Sequence, residues 1–175
     1  DTLLQTAVAN GTIPGVAAAA TTSTEAFYQG GFGVRAQGLV TAMDLDTVMW
    51  IASMTKPITG AAIMILQDEG KLNVTDLVAK YIPEFAHLKT PSGQPANLTI
   101  TQILTHTSGL GEASGPTAQA AKTLADLVPV WLAAKMQYEP GEKWKYTQSG
   151  INLAGRIVEV VSGMTFDAFL QKRVF

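Results

Sequence analysis

Hydrophobic positions along the chain fall into helix-like and strand-like spacings that alternate with polar turns. Residues 2–10 (Thr-Leu-Leu-Gln-Thr-Ala-Val-Ala-Asn) predict a short helix stopped by Gly11. Gly15 to Thr22, and Ala26-Phe27-Tyr28-Gln29 onward, read as two strands around a polar turn at Ser23-Thr24-Glu25, a hairpin. Gly30, Gly31 and Gly33 mark a place where something else approaches the backbone closely. Thr47-Val48-Met49-Trp50-Ile51 is apolar and β-prone and predicts a further strand-like run.

Beyond it, helical periods dominate. Ile58, Ala61, Ala62, Ile65 and Leu66 define a helix from Ser53 to about Glu69, ended by Gly70. Thr75 predicts the cap of a short helix that Pro83 terminates. Thr99-Ile100-Thr101-Gln102 is a capping-box pattern opening another short helix, expected to end near Gly109. Thr123 to Lys135 predicts a helix that Pro129 kinks or splits. Ile151, Ala154, Ile157, Val158 and Val161 form an apolar stripe stopped by Gly163, after which Thr165 caps a last helix carrying Phe166, Phe169 and Leu170. No internal repeat, low-complexity tract or linker interrupts the series.

The 175 residues suffice for one ordinary domain, and 47% hydrophobic against 15% charged residues suits a packed core and excludes disorder. A net charge of −2 with no basic run argues against nucleic acid as a partner, and no apolar run is long enough to span a bilayer. Without cysteine, disulfides, thiol catalysis and thiolate metal sites are excluded; His87 and His106 have no carboxylate at metal-ligand spacing, so neither a metal nor another cofactor is expected. The chain begins at Asp1 rather than at a Met-initiated basic and apolar leader, and compartment is not legible. Two or three strands stand beside about six helices, and one hairpin is not a stable sheet. More strands are therefore expected elsewhere, with the chain, which stops at Arg173-Val174-Phe175, forming part of a larger protein.

The chemistry concentrates at Ile51-Ala52-Ser53-Met54-Thr55-Lys56-Pro57, where the strand-like run gives way to a helix. Three positions on a helix are nearly one turn, so the Ser53 hydroxyl and the Lys56 amine project from one face. A serine hydroxyl needs a base to take its proton, and a desolvated lysine can be that base. Pro57 fits a first helical turn, which puts Ser53 at a helix N-terminus where developing negative charge is stabilised. On the bare pattern, a capping serine followed by a solvated lysine is the plainer reading. A second stretch, Glu139-Pro140-Gly141 through Trp144 and Tyr146 to Gly150, is a turn and an extended run leading into the helix of Ile151. A phenol at that junction can relay protons beside an ammonium, although Tyr146 standing alone would read as a core tyrosine.

In order, Ser-x-x-Lys, then Leu104-Thr105-His106-Thr107-Ser108-Gly109-Leu110, then Glu-Pro-Gly, Trp144 and Tyr146 resemble the class C β-lactamase family of serine hydrolases. That family also contains D-Ala-D-Ala carboxypeptidases and family VIII carboxylesterases. The likeness runs from about Gly15 to the end, through Tyr81-Ile82-Pro83-Glu84-Phe85 and Gly155-Arg156-Ile157-Val158-Glu159. It implies an α+β, β-lactamase/transpeptidase-like fold, with residues 1–175 the N-terminal part of one catalytic domain: a hairpin and a helical region, the remaining antiparallel strands lying outside this chain. It further implies that Ser53 is the acylated nucleophile, Lys56 its general base or proton shuttle, and Tyr146 the phenol that assists activation and protonates the leaving group. His106 belongs to a family stretch and is read as bracing a loop, the lysine already filling the role of base.

Two departures shape the reading. Family β-lactamases carry asparagine two positions after the tyrosine, where this chain has Gln148, a candidate substrate-binding residue with an amide that reaches one methylene further. Asn152, six residues past Tyr146 and on the next helix, is no substitute for that asparagine. The Lys-Thr-Gly-like triplet of the family's site-lining strand is absent: Lys122-Thr123 is followed by Leu124, and neither histidine begins His-x-Gly. In the family that strand supplies one oxyanion N–H, the nucleophile's own backbone supplying the other. The expectation is a serine hydrolase working through an acyl-enzyme, a carboxylesterase on small or medium esters. The alternatives are a β-lactamase or D-amino-acid peptidase, a penicillin-recognising module without turnover, or a structural half inert until joined by the missing strands. The expected partners are a small ester or amide substrate and the C-terminal half of the same domain.

Overall fold

The computed structural model describes residues 1–175, which divide into two compact units, 1–51 and 52–175. In the first, α1 (Thr2–Ala9) precedes the antiparallel hairpin of β1 (Gly15–Thr21) and β2 (Ala26–Gly33). Gly15 pairs with Gly33 and Ala18 with Gly30, and a bulge between Ala20 and Thr21 shifts the register at the turn end. The glycine signal has two causes. A Cβ on Gly31 would stand 2.8 Å from the Met43 carbonyl oxygen and one on Gly33 2.3 Å from that of Pro14, so backbone does approach there. At Gly30 the neighbour is instead the Phe32 ring. The return segment is tied by Val34–Ala42 bridging and by the Arg35–Asp44 ion pair at 2.9 Å.

The strand-like run at 47–51 joins no sheet: Val48 is 95% and Trp50 94% exposed. Strand propensity measures fit to a pleated, half-buried surface, and here that surface has no neighbouring strand.

The second unit is helical: α2 (Thr55–Asp68), α3 (Ile100–Leu104), α4 (Gly115–Ala120), α5 (Val128–Ala133), α6 (Ser149–Ser162) and α7 (Phe166–Arg173). Its core joins Ile63 and Leu66 of α2, Ile100 and Ile103 of α3, Trp131 of α5, Leu153, Ile157 and Val158 of α6, and Phe169 of α7, all fully buried. On α2 the buried face is Lys56, Thr59, Ala62, Ile63 and Leu66; Ala61 is exposed, so the stripe is rotated from the one the sequence predicts. Gly70 and Gly163 end α2 and α6 in left-handed conformations that glycine adopts without penalty.

The Thr99 capping box forms as predicted, its hydroxyl accepting from the Gln102 N–H at 3.2 Å while the Gln102 side chain accepts from the Thr99 N–H at 3.0 Å. The helix is shorter than expected, ending at Leu104, because the chain turns through a left-handed His106. The short helix expected between Thr75 and Pro83 forms as a 3-10 turn at Val78–Lys80, but Thr75 and Pro83 act differently from the prediction. Thr75 donates to the Asn73 side chain in a turn, and Pro83 opens a 3-10 turn (Pro83–His87), where a residue lacking N–H is tolerated at the first position. Pro129 splits its segment into a 3-10 turn at Ala125–Leu127 and the short α5. Helix α4, on small polar residues without an apolar stripe, was not legible.

Candidate active site

The backbone delivers Ser53 through a bend. Ala52 has φ +46°, a left-handed conformation that an L-residue adopts at a cost, and Ala52–Met54 form one 3-10 turn before α2 begins at Thr55. Ser53 is thereby exposed one turn ahead of Lys56, whose side chain is only 9% exposed. Lys56 Nζ donates to Ser53 Oγ at 3.3 Å and to Gln148 Oε1 at 2.5 Å. It also lies 4.6 Å from the centroid of the Tyr146 ring. The four residues singled out in the sequence are therefore brought together: Ser53 from the 3-10 turn ahead of α2, rather than from the helix itself as expected, Lys56 from the first turn of α2, and Tyr146 and Gln148 from the extended approach to α6.

Nothing local in the sequence fixes that second pair. The approach segment is held against the turn after α3. Lys145 N–H donates to the His106 carbonyl at 2.9 Å, Gly141 N–H to that of Thr107 at 2.8 Å, and Gln137 N–H to that of Gly109 at 2.8 Å. Gly109 is obligatory twice over: its φ is +74°, and a Cβ would stand 2.2 Å from the Tyr138 carbonyl oxygen. Gly150 lets α6 come down on α3, since a Cβ there would meet the Ile103 carbonyl oxygen at 2.6 Å. His106 Nδ1 accepts from the Thr147 N–H at 3.4 Å, and its ring packs on that of Tyr146 with centroids 4.7 Å apart. Its geometry is that of a brace: it sits under the tyrosine loop.

The electrostatics follow from this crowding. The Ser53 hydroxyl, and after it the Lys56 ammonium, favour phenolate and hold the Tyr146 pKa below its ordinary 10. Partial burial, then the charge of Lys56, push the His106 pKa down, with Glu112 opposing, so its imidazole is kept neutral. A neutral ring with Nδ1 as acceptor is the form the Thr147 N–H requires.

Two residues outside the predicted set belong to the arrangement. The Glu112 carboxylate accepts from the N–H groups of Gln148 (2.6 Å) and Ser149 (3.0 Å) and from the Ser149 hydroxyl (2.8 Å). It caps the free N-terminus of α6 with negative charge. The Asn152 Oδ1 accepts from Gln148 Nε2 at 2.8 Å. By this contact Asn152 holds the Gln148 side chain. The i, i+4 spacing of the two on one helix was the available signal, whereas Glu112 had none. A cleft of about 380 Å³ opens beside this pair, lined by Thr55, Thr59, Leu124, Ile151 and Phe166 among others.

Chemically, a hydroxyl within reach of an amine, a phenol of lowered pKa against both, and a helix N-terminus behind the hydroxyl form the set needed to activate a serine nucleophile. Among known proteins, the chain is 30% identical over 175 residues to Protein flp of Staphylococcus aureus (strain MW2), covering 97% of this chain and 34% of that protein. It is 36% identical over 151 residues to the uncharacterized protein MT1414 of Mycobacterium tuberculosis, covering 75% of this chain and 37% of that one. The chain thus spans about a third of the length of these curated relatives. In fold it is similar to EstCE1, a hydrolase with promiscuous acyltransferase activity (TM-score 0.85, 23% identity, 99% of this chain and 49% of that one). It is also similar to a D-stereospecific amidohydrolase from Streptomyces sp. (TM-score 0.72, 27% identity, 99% and 52%). The fold is accordingly β-lactamase/transpeptidase-like, with the small two-stranded sheet and helices described above. The Beta-lactamase family model matches residues 1 to 175, and the chain belongs to that family.

Proposed function

We propose that this protein is a serine hydrolase that works through an acyl-enzyme and cleaves small or medium carboxylic esters. The observation that carries the reading is the 3.3 Å contact between Lys56 Nζ and Ser53 Oγ, with Tyr146 beside both. In this mechanism the Ser53 hydroxyl gives its proton to Lys56 or, through it, to the Tyr146 phenolate, as its oxygen attacks the ester carbonyl. Tyr146 returns the proton to the leaving alcohol, and water, activated by the same pair, releases the acid from Ser53. The Ser53 N–H at the helix start supplies one oxyanion donor. Gln148, with its carbonyl taken up by Lys56, has less to offer a substrate amide, which favours esters. No cofactor is needed.

The reading includes a statement about extent. Residues 1–175 form the N-terminal part of one catalytic domain, completed by strands that supply the second oxyanion donor. The partial coverage of every relative named above supports this, as does the exposed apolar run at Val48 and Trp50. A second reading, cleavage of D-amino-acid amides, draws support from the 27% identity to the D-stereospecific amidohydrolase.

The deciding experiment is intact-mass and peptide mass spectrometry of the full-length protein after exposure to a fluorophosphonate. One adduct on the peptide containing Ser53, absent in Ser53→Ala, is expected. Labelling elsewhere that survives in Ser53→Ala would remove the assignment.

A further inference from the structure

An amide has a donor end and an acceptor end, and which end of Gln148 faces Lys56 decides whether that contact is attractive. Lys56 Nζ can only be met favourably by the carbonyl oxygen as long as it donates; an NH2 turned toward it would set donor against donor. Nothing in Gln148 itself selects the right face, because its terminal torsion has two nearly equivalent wells. Lys56 favours the oxygen at one end, and the far end of the amide adds to that selection. Asn152 Oδ1 accepts from Gln148 Nε2 at 2.8 Å, and an amide oxygen can accept only from the NH2. The Gln148 main chain is anchored separately, its N–H on Glu112 Oε1 at 2.6 Å, so the side-chain torsions are what remain to be set.

We propose that Asn152 is a positioning residue that locks the Gln148 carbonyl toward Lys56. Resting on the serine-hydrolase reading above, this assigns a role to a residue one helical turn beyond Gln148, whose side chain bonds to Gln148 rather than to Ser53, Lys56 or Tyr146. The Lys56 ammonium has three N–H groups. Giving one to Gln148 Oε1 restricts rotation about Cε–Nζ and leaves the others for Ser53 Oγ and the side of Tyr146, the placement in which Lys56 can pass a proton to the phenolate as it takes one from the serine. Without Asn152 only Lys56 holds the Gln148 amide in this orientation, and the productive fraction of Lys56 falls.

The test compares Asn152→Leu, which keeps the volume and removes the acceptor, with Asn152→Asp, which keeps an acceptor for the NH2. Two readouts are followed in the full-length protein: the second-order rate of Ser53 labelling by a fluorophosphonate, and kcat and KM for p-nitrophenyl butyrate. Asn152→Leu should slow labelling and kcat roughly five- to tenfold, the worth of one hydrogen bond, with KM changed less than about twofold. Asn152→Asp should recover most of that loss. In a Gln148→Met background, where there is no amide to orient, Asn152→Leu should have no further effect. Should the leucine variant fold poorly, Asn152→Ala carries the same expectations. Equal losses from Asn152→Leu with and without Gln148, or wild-type labelling by Asn152→Leu, would overturn the inference while leaving Ser53 as nucleophile untouched. Loss of Ser53 labelling in the wild type would instead bring down the hydrolase reading and this inference with it.

Discussion

Glu112 and Ser149 meet at the first turn of α6, where one carboxylate oxygen accepts from both the Ser149 N–H at 3.0 Å and the Ser149 hydroxyl at 2.8 Å. Ser149 Oγ in turn accepts from the Ala113 N–H at 2.8 Å, so the two segments are closed into one hydrogen-bonded ring. A charged cap at a helix N-terminus typically contributes about 1–2 kcal/mol. Glu112→Ala should lower unfolding free energy in urea by about that amount and should lower kcat as well, because the Gln148 backbone loses its anchor. Glu112→Gln, still an acceptor, should retain about half of the stability effect. Unchanged stability in Glu112→Ala would mean that solvent replaces the carboxylate without loss.

Lys56 and Tyr146 should behave as one proton-transfer unit. Lys56→Ala and Tyr146→Phe should each reduce kcat/KM for an ester by several orders of magnitude, and the double variant should be little worse than the poorer single. Additive losses would separate the two.

The pH profile carries the same coupling with a definite sign. Tyr146 is held below its ordinary 10 by Ser53 and Lys56, so its phenolate forms at lower pH than in a free tyrosine. If phenolate is the working form, kcat/KM should rise with pH and level off below pH 10. Ser53→Ala, read by direct ultraviolet titration of the phenol, should move that ionisation upward. A titration that does not move would detach Tyr146 from the serine.

Ester cleavage should exceed β-lactam cleavage. Alcohols leave more readily than amines, and the Gln148 carbonyl is engaged with Lys56 at 2.5 Å. The comparison is kcat/KM for p-nitrophenyl acetate or butyrate against a chromogenic cephalosporin, with Gln148→Asn expected to raise the latter. A higher value for the cephalosporin reverses the ranking.

Acid should destabilise the helical unit in a window set by two carboxylates. Arg173, then Lys71, hold the Glu69 pKa at about 2; Lys80, Tyr81 and the Asn73 N–H hold Asp76 at about 2. Both lie below their ordinary values of 4.5 and 3.8, so the stability they confer is present above about pH 4.5 and lost as pH falls through 2. Both carboxylates remain in contact with solvent, so the effect should be modest and should shrink in high salt. Thermal melts between pH 2 and 6 of Glu69→Gln and Asp76→Asn should show a flatter acid limb than the wild type.

Much of this molecule was determined by sequence alone because the determinants are local. The hairpin with its turn at 23–25, the capping box at Thr99, the stripe of α6 and the glycine ends of α2 and α6 each depend on residues within a turn or two of one another. The same holds for Ser53 and Lys56, three residues apart where a 3-10 turn runs into α2. Tertiary structure decided the rest. The rotation of α2 that buries Lys56 and Thr59 rather than Ala61 depends on which neighbours pack against it. The fate of the 47–51 run depends on whether a partner strand lies beside it. Lys56 reaches Gln148 across 92 positions because Gly109 and Gly150 let two backbones approach more closely than any side chain would allow. Glu112 carries no local mark at all: a carboxylate becomes a helix cap only when the fold places a free helix end in front of it.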